Sequence, residues 1–265
     1  MDIPTPPVVP RPAATVLLLR DGSKGIEVFM AVRHQGSSFM PGILVFPGGA
    51  VDADDAHPGL MDWAGEGPAP DDAVSRIAGA REVFEEAGVL LARPKGQGAL
   101  VGADRYEHCL TRYRAKLCAG EVGFSTIMAE EALSPAIDLM VPFANWITPV
   151  IRQKRFDARF YLARAPEGQA GVHDEQELVS SHWTTVPDAF AAVARGEIKI
   201  VFVTRSNLGL LAKSRTVDEA LAAARARTVV PVQPQLFDSP DGPALRIRDD
   251  AGYEVTEILV KDVGD

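Results

Sequence analysis

The order of elements along this sequence predicts an α/β fold. Three observations carry the prediction. Apolar and β-branched runs of strand length alternate with helical stretches from residue 13 to residue 227. The best-marked helix, from residue 71 or 72 to residue 88, has one apolar stripe: at about 100° per residue, Ala73, Ile77, Ala80, Phe84 and Ala87 fall within about 60° of one another. A chain of 265 residues with 46% apolar content can also bury a sizeable core, as one elaborated domain or two small ones.

Residues 1–12 hold Pro4, Pro6, Pro7, Pro10 and Pro12 and read as an extended arm. Residues 13–228 read as the main domain. Within it, 13–20 and 26–33 form a hairpin about the turn cluster at 21–25. A loop carrying His34 then leads to a short apolar strand at 43–46, closed by Pro47, Gly48 and Gly49. Paired glycines after a strand let a ligand approach the main chain closely. Residues 51–72 are acidic and rich in Gly and Pro. They read as an inserted loop with a helical turn around 59–64. It is either a flap anchored by Trp63 or a decoration far from the chemistry.

After the marked helix, 89–92 read as a strand, and 104–119 and 125–132 as helices. The first of these carries Arg105, Arg112, Arg114 and Lys116 on what reads as a solvated face. Residues 139–147, 156–163 and 178–184 read as strands; 186–195, 205–213 and 216–227 read as helices. Residues 229–265 read as an extension packed on the same domain, with a hairpin of 245–248 against 253–260.

Charge and cysteine content narrow the function. A net charge of −9 argues against nucleic acid as a partner. Cys109 and Cys118 share a predicted helix about 13 Å apart, too far to pair. No leader and no apolar run of membrane length is visible, and residues 261–265 are not a peroxisomal signal, so a cytoplasmic protein is expected, with no membrane partner. A homodimer is left open.

The marked helix ends in three acids. Glu82, Glu85 and Glu86 are spaced i, i+3 and i+4, so their side chains are neighbours, opposite the apolar stripe. Gly88 reads as the C-cap glycine, which puts the acids where the helix dipole is already negative. Like charges so spaced cost roughly 0.2–0.5 kcal/mol per pair. A hard cation such as Mg²⁺ reverses that balance. Basic residues are few by comparison. Arg152, Lys154, Arg155 and Arg159 form the densest basic patch, suited to phosphate, and Arg33 stands at the mouth of the 34–42 loop.

Gly48 and Gly49, followed by Arg81-Glu82-x-x-Glu85-Glu86-x-Gly88-Val89, resemble the Nudix box: Gly, five residues, Glu, seven residues, then Arg-Glu-apolar-x-Glu-Glu-x-Gly-apolar. Every specified position of the second half matches. Gly49 to Arg81 is 32 positions against 14 in the compact box, so about 18 residues are inserted. Counting forward from Gly49 sets Asp55 at the box's first Glu; counting back from Arg81 sets Ala73 there, with Asp71 and Asp72 nearby.

The resemblance to the Nudix hydrolases implies an α/β/α sandwich with a mixed sheet and extra helices. It implies Mg²⁺- or Mn²⁺-dependent hydrolysis of a nucleoside diphosphate conjugate. Carried over by position, Glu82, Glu85 and Glu86 are the metal ligands, with a carbonyl of Gly48 or Gly49. Arg81 holds a glutamate in place. The general base is Glu82, Glu85, or the later loop acids Glu175 and Glu177. The insertion, together with Trp146-x-Thr148-Pro149 and Arg155-Phe156-Asp157-x-Arg159-Phe160, resembles the subgroup of peroxisomal-type coenzyme A diphosphatases. ADP-ribose, NADH or a dinucleotide is the alternative substrate, and a non-catalytic nucleotide sensor the alternative class.

Overall fold

The computed structural model describes residues 8–33, 43–61, 70–169, 171 and 178–263. Its main sheet is mixed, and it splays. β1 (Arg11–Gly22) and β2 (Gly25–Arg33) form the predicted hairpin, with Leu19 opposite Val28 and Gly22 opposite Gly25. Beyond Leu19 and Val28 the two strands part. The chain from 44 to 50 fills the wedge between them. β3 (Leu44–Val45) pairs with β2, and β4 (Gly48–Ala50) pairs with β1 opposite Thr15, Ala14 and Ala13. Pro47 has no N–H for a ladder, but its carbonyl accepts from the Val16 amide at 2.9 Å, so the crossing segment stays tied to β1.

Helix α1 (Ala73–Ala87) lies across one face of the sheet. β5 (Ala92–Pro94), α2 (Ala103–Cys118), α3 (Phe124–Glu130) and β6 (Leu133–Pro135) form a lobe behind it. β7 (Val141–Ile147) is antiparallel to β8 (Phe156–Arg164), β8 runs parallel to β1, and β9 (Leu178–Thr185) pairs with β2. Helices α4 (Val186–Ala194), α5 (Phe202–Leu211) and α6 (Val217–Ala226) cover the opposite face. The order of layers is therefore lobe, α1, sheet, α4–α6.

Strand period explains the layering. Leu17, Leu19, Val28, Met30, Phe160 and Leu162 point to α4–α6; Ala14, Val16, Leu18, Phe29 and Tyr161 point to α1. The predicted stripe on α1 does not face one core, as expected from periodicity. Ala80 and Ala87, with Ala78 and Val83, meet the sheet, whereas Ala73, Ile77 and Phe84 meet Cys109, Tyr113 and Phe124 of the lobe. The helix is a spine between two cores, with eleven of its fifteen residues buried.

Residues after α6 add β10 (Pro231–Val232), parallel to β7, and a small antiparallel sheet of β11 (Gln235–Ser239), β12 (Gly242–Arg246) and β13 (Glu257–Leu259). The expected terminal hairpin is the β12–β13 pair. Leu245, Ile247, Tyr253 and Val263 enter the α4–α6 core, where Trp146 Nε1 donates to the Tyr253 hydroxyl at 2.8 Å and that hydroxyl donates to Asn207 Oδ1 at 3.1 Å. Val89, Leu90 and Leu91 are buried but lie outside any strand; pairing starts only at Ala92. Cys109 and Cys118 are free thiols on α2. Among the described residues no helix is long and apolar enough to cross a membrane.

Candidate functional site

The site forms where the last two turns of α1 meet β4. Gly88, in the left-handed region at φ 65°, ends the helix, and its amide closes on Phe84 and Val83 carbonyls. The final turns therefore stop beside the glycine turn. Contact there is close. A Cβ on Gly49 would sit inside the Glu82 carboxylate, and one on Gly48 would lie 2.5 Å from the Ala14 carbonyl oxygen and 2.7 Å from Thr15 Cα. Glycine is required at Gly48, where a side chain would strike fixed backbone; at Gly49 a side chain would displace the Glu82 carboxylate.

Arg81 organises the acids. Nε and Nη2 donate to the two oxygens of Asp55, at 2.8 and 3.0 Å. Nη1 donates to Glu82 at 2.8 Å and to Glu85 at 3.2 Å, and Nη2 also donates to the Ala50 carbonyl at 2.9 Å. Those five contacts match the five N–H groups of a guanidinium. Burial works against the charged guanidinium, but Asp55, Glu82 and Glu85 outweigh it and hold Arg81 protonated. Burial pushes the Glu82 carboxyl above the usual carboxylate range; Arg81 pulls it back and Glu85 adds to the push. Glu86 turns the other way, its Oε2 accepting the Gly48 amide at 2.9 Å.

Glu82 and Glu86 are only 8% and 5% exposed, although helix period sets them opposite the apolar stripe. One expectation changes here. The polar face of α2 was expected to be solvated, yet Arg114 reaches across to α1. Its Nε donates to the Glu85 carbonyl at 2.9 Å and its Nη2 to the Glu86 carbonyl at 3.1 Å. Those are carbonyls left over at a helix C-terminus, and a cation there complements the dipole. Periodicity could not pick Arg114 from Arg105, Arg112 and Lys116, because the choice depends on how α2 packs.

Asp55 answers the open count in the box. The residue that the forward count from Gly49 reaches is fully buried and is the bidentate partner of Arg81, whereas Ala73, reached by the backward count, has no carboxylate to offer. The first part of the insertion, the 3-10 turn Asp54–Ala56, is thus a wall of the site and not a remote loop. Trp63 and the rest of 62–69 in the insertion lie outside the described residues, as do His34, Glu175 and Glu177. Of Arg33 only the backbone is described; it ends β2 opposite Leu178.

The basic patch divides. Arg155 is buried, and its Nε and Nη1 donate to the carbonyls of Thr148, at 3.0 Å, and Val8, at 2.6 Å. It pins the segment just before β1 to the β7–β8 turn, a structural use in place of the expected phosphate contact. Arg152 lies on that turn. Arg159 is exposed on β8 and shares a register row with Ala14 and Gly49. Paired residues point to the same face, so Arg159 lies on the α1 side, two strand spacings or roughly 10 Å from Gly49.

The donor set suits a hard divalent cation. Glu82, Glu85, Glu86 and the Gly48–Gly49 main chain offer only oxygen. Arg81 meets three carboxylates, Asp55, Glu82 and Glu85, with Glu86 beside them on the Gly48 amide and Arg114 at the helix end, so the acids outnumber the cations that meet them. Among the described residues no three His, Cys, Asp or Glu side chains converge on one point. Glu82 and Glu85 rest on Arg81 and Glu86 on the Gly48 amide, so converging on a cation requires rotamer changes.

Similarity to known proteins agrees with this geometry. A family model described as the NUDT19 Nudix domain matches residues 61–203, which is 143 of 265 residues. Acyl-coenzyme A diphosphatase NUDT19 from Homo sapiens is 28% identical over 237 residues, covering 73% of this chain and 60% of that protein. The Xenopus laevis protein of the same name is 26% identical over 213 residues, covering 64% of this chain and 55% of that protein. The chain thus spans little more than half the length of these curated relatives. A crystal structure of a NUDIX hydrolase from Alicyclobacillus acidocaldarius superposes with a TM-score of 0.67 at 27% identity, covering 81% of this chain and 96% of that one. The splayed mixed sheet, the Arg81-centred acids and the glycine turn are therefore features of a chain that belongs to the Nudix family, within the group defined by the NUDT19 Nudix domain.

Proposed function

We propose that this chain is a divalent-metal-dependent hydrolase that cleaves the diphosphate linkage of coenzyme A or an acyl-coenzyme A. The observation that carries the reading is the set of carboxylates beside the Gly48–Gly49 turn, Asp55, Glu82 and Glu85 gathered by Arg81 and Glu86 on the Gly48 amide. The named relatives support the substrate class.

Glu82, Glu85 and Glu86 would hold the cation, with a carbonyl of Gly48 or Gly49. When bound, Mg²⁺ or Mn²⁺ supplies charge neutralisation at the diphosphate and a more acidic water. The protein does the rest by position. Arg81 orients Glu82 and Glu85, and Asp55 fixes Arg81. A carboxylate, from Glu82, Glu85, Glu175 or Glu177, accepts the proton of the water attacking phosphorus. Arg159, across two strands on the same face, binds the substrate phosphates, and Arg152 and Arg33 are further candidates for that contact.

The test is a substrate panel with Mg²⁺ or Mn²⁺: coenzyme A, an acyl-coenzyme A, ADP-ribose, NADH and a dinucleotide. Coenzyme A or its acyl form is expected to give the highest kcat/KM. Preference for ADP-ribose or NADH would sink the substrate class, and binding without turnover of any compound would leave a nucleotide sensor. Arg159→Ala is expected to raise KM about 10- to 100-fold with little change in kcat, since a hydrogen bond to a charged group contributes about 1.5–3 kcal/mol. An unchanged KM would remove Arg159 from the substrate site.

A further inference from the structure

Neighbouring carboxylates on the turn Asp54–Ala56 go to different bodies. Asp55 turns inward to Arg81. Asp54 turns to the lobe, where its Oδ2 accepts the Ser125 amide at 2.9 Å and its Oδ1 accepts the Ser125 hydroxyl. The seat is tight: a Cβ on Gly123 would lie 2.9 Å from Asp54 Oδ2 and 3.1 Å from its Cγ. The turn is braced within itself, because Asp55 Oδ2 also accepts the Asp52 amide at 2.7 Å and the Asp54 carbonyl accepts the His57 amide at 3.0 Å. Asp54 touches none of Glu82, Glu85 or Glu86 in any of these contacts, so the hydrolytic scheme gives it no task.

We propose that Asp54 is a positioning residue: with Ser125 it clasps the insertion to α3, and so sets the place of Asp55, of Arg81 and of the glutamates that Arg81 holds. The inference rests on the metal-site reading above. The physical link is short. Successive Cα atoms are 3.8 Å apart, and a braced 3-10 turn has no slack to absorb movement of one residue without moving the next. The Asp55–Arg81 fork uses two parallel hydrogen bonds and is specific in geometry. Moving Asp54 off α3 therefore tilts the fork, and the Nη1 contacts to Glu82 and Glu85 move with it. The lobe, which lies outside the splayed sheet, becomes part of the metal site by this route. Contacts that orient metal ligands from outside typically account for 10–100-fold in metal affinity or activity.

The experiment measures Mn²⁺ binding by the full chain without substrate, from the electron paramagnetic resonance signal of free Mn²⁺, together with kcat, KM for coenzyme A, and Tm. Asp54→Ala and Ser125→Ala are expected to weaken Mn²⁺ binding about tenfold or more and to lower kcat, with KM within about twofold of wild type. Ser125→Thr keeps the hydroxyl and the amide and is expected to restore binding. Tyr113→Phe loosens the lobe elsewhere, at the hydroxyl that lies 2.8 Å from carboxylate oxygens of both Glu130 and Glu131 and shares its one proton with them. It is expected to lower Tm and leave Mn²⁺ binding unchanged. If Asp54→Ala fails to fold, Ser125→Ala, which removes a single hydroxyl, decides the matter. Wild-type Mn²⁺ affinity in the Ser125 and Asp54 variants overturns the clasp, as does equal weakening by Tyr113→Phe. Wild-type affinity in Glu86→Gln overturns the metal-site reading instead, so the two failures are distinct.

Discussion

Glu86→Gln is expected to lower metal-dependent turnover by about 10³-fold while the protein stays folded. Both halves of that expectation come from one geometry. Glu86 is almost wholly buried, and its described contact is an oxygen accepting the Gly48 amide at 2.9 Å. Glutamine has nearly the same shape and still offers a carbonyl oxygen to that amide. The change also removes one negative charge from an acid-rich pocket, so stability should stay within about 1 kcal/mol of wild type or rise slightly. Turnover is a different matter. A metal site contributes several kcal/mol of transition-state charge stabilisation, and a loss of about 4 kcal/mol is about 10³-fold in rate. The check is kcat at saturating Mg²⁺ and Mn²⁺ beside a thermal melt. A folded variant with near wild-type kcat would remove Glu86 from the metal shell.

How far these features could be read in advance depends on the distance over which each is encoded. The second half of the box is local: Arg81, Glu82, Glu85, Glu86 and Gly88 lie within two turns, and helix period alone brings the acids together. The hairpin of β1 and β2 is local too, fixed by its turn. Asp55 is not. It lies 26 positions from Arg81, and an insertion separates them, so counting gave two answers where only packing gives one. Arg114 sits 28 residues beyond Glu86, on a helix whose charges offer no reason to prefer it. β10 is led by Pro231 and has two residues, too short for a period of two to register. The apolar run 89–91 looked like a strand because burial and pairing share one apolar signal, and here only burial applies. Residues whose roles depend on two distant segments meeting are the ones that sequence pattern leaves open.

Arg81 shows the largest such dependence, and Arg81→Met is expected to destabilise the fold by about 3–5 kcal/mol, the usual consequence of removing one partner from a buried ion pair. Methionine fills similar space, so the change removes charge and donors more than volume. Asp55 is left fully buried with the Asp52 amide as its described donor, and Glu82 and Glu85 lose the cation between them. Arg81→Lys should rescue little. An ammonium has three donors on a single point, whereas the five N–H groups of Arg81 meet acceptors on Asp55, Glu82, Glu85 and Ala50. Adding Asp55→Asn to Arg81→Met should recover part of the loss, because the second change neutralises the stranded carboxylate. The two are therefore expected to be non-additive by at least 1 kcal/mol in a double-mutant cycle. Denaturant unfolding of the four proteins measures that coupling. Additivity would mean that Arg81 and Asp55 act independently, and an unfolding midpoint for Arg81→Met equal to wild type would mean that the guanidinium is not what holds the acids together.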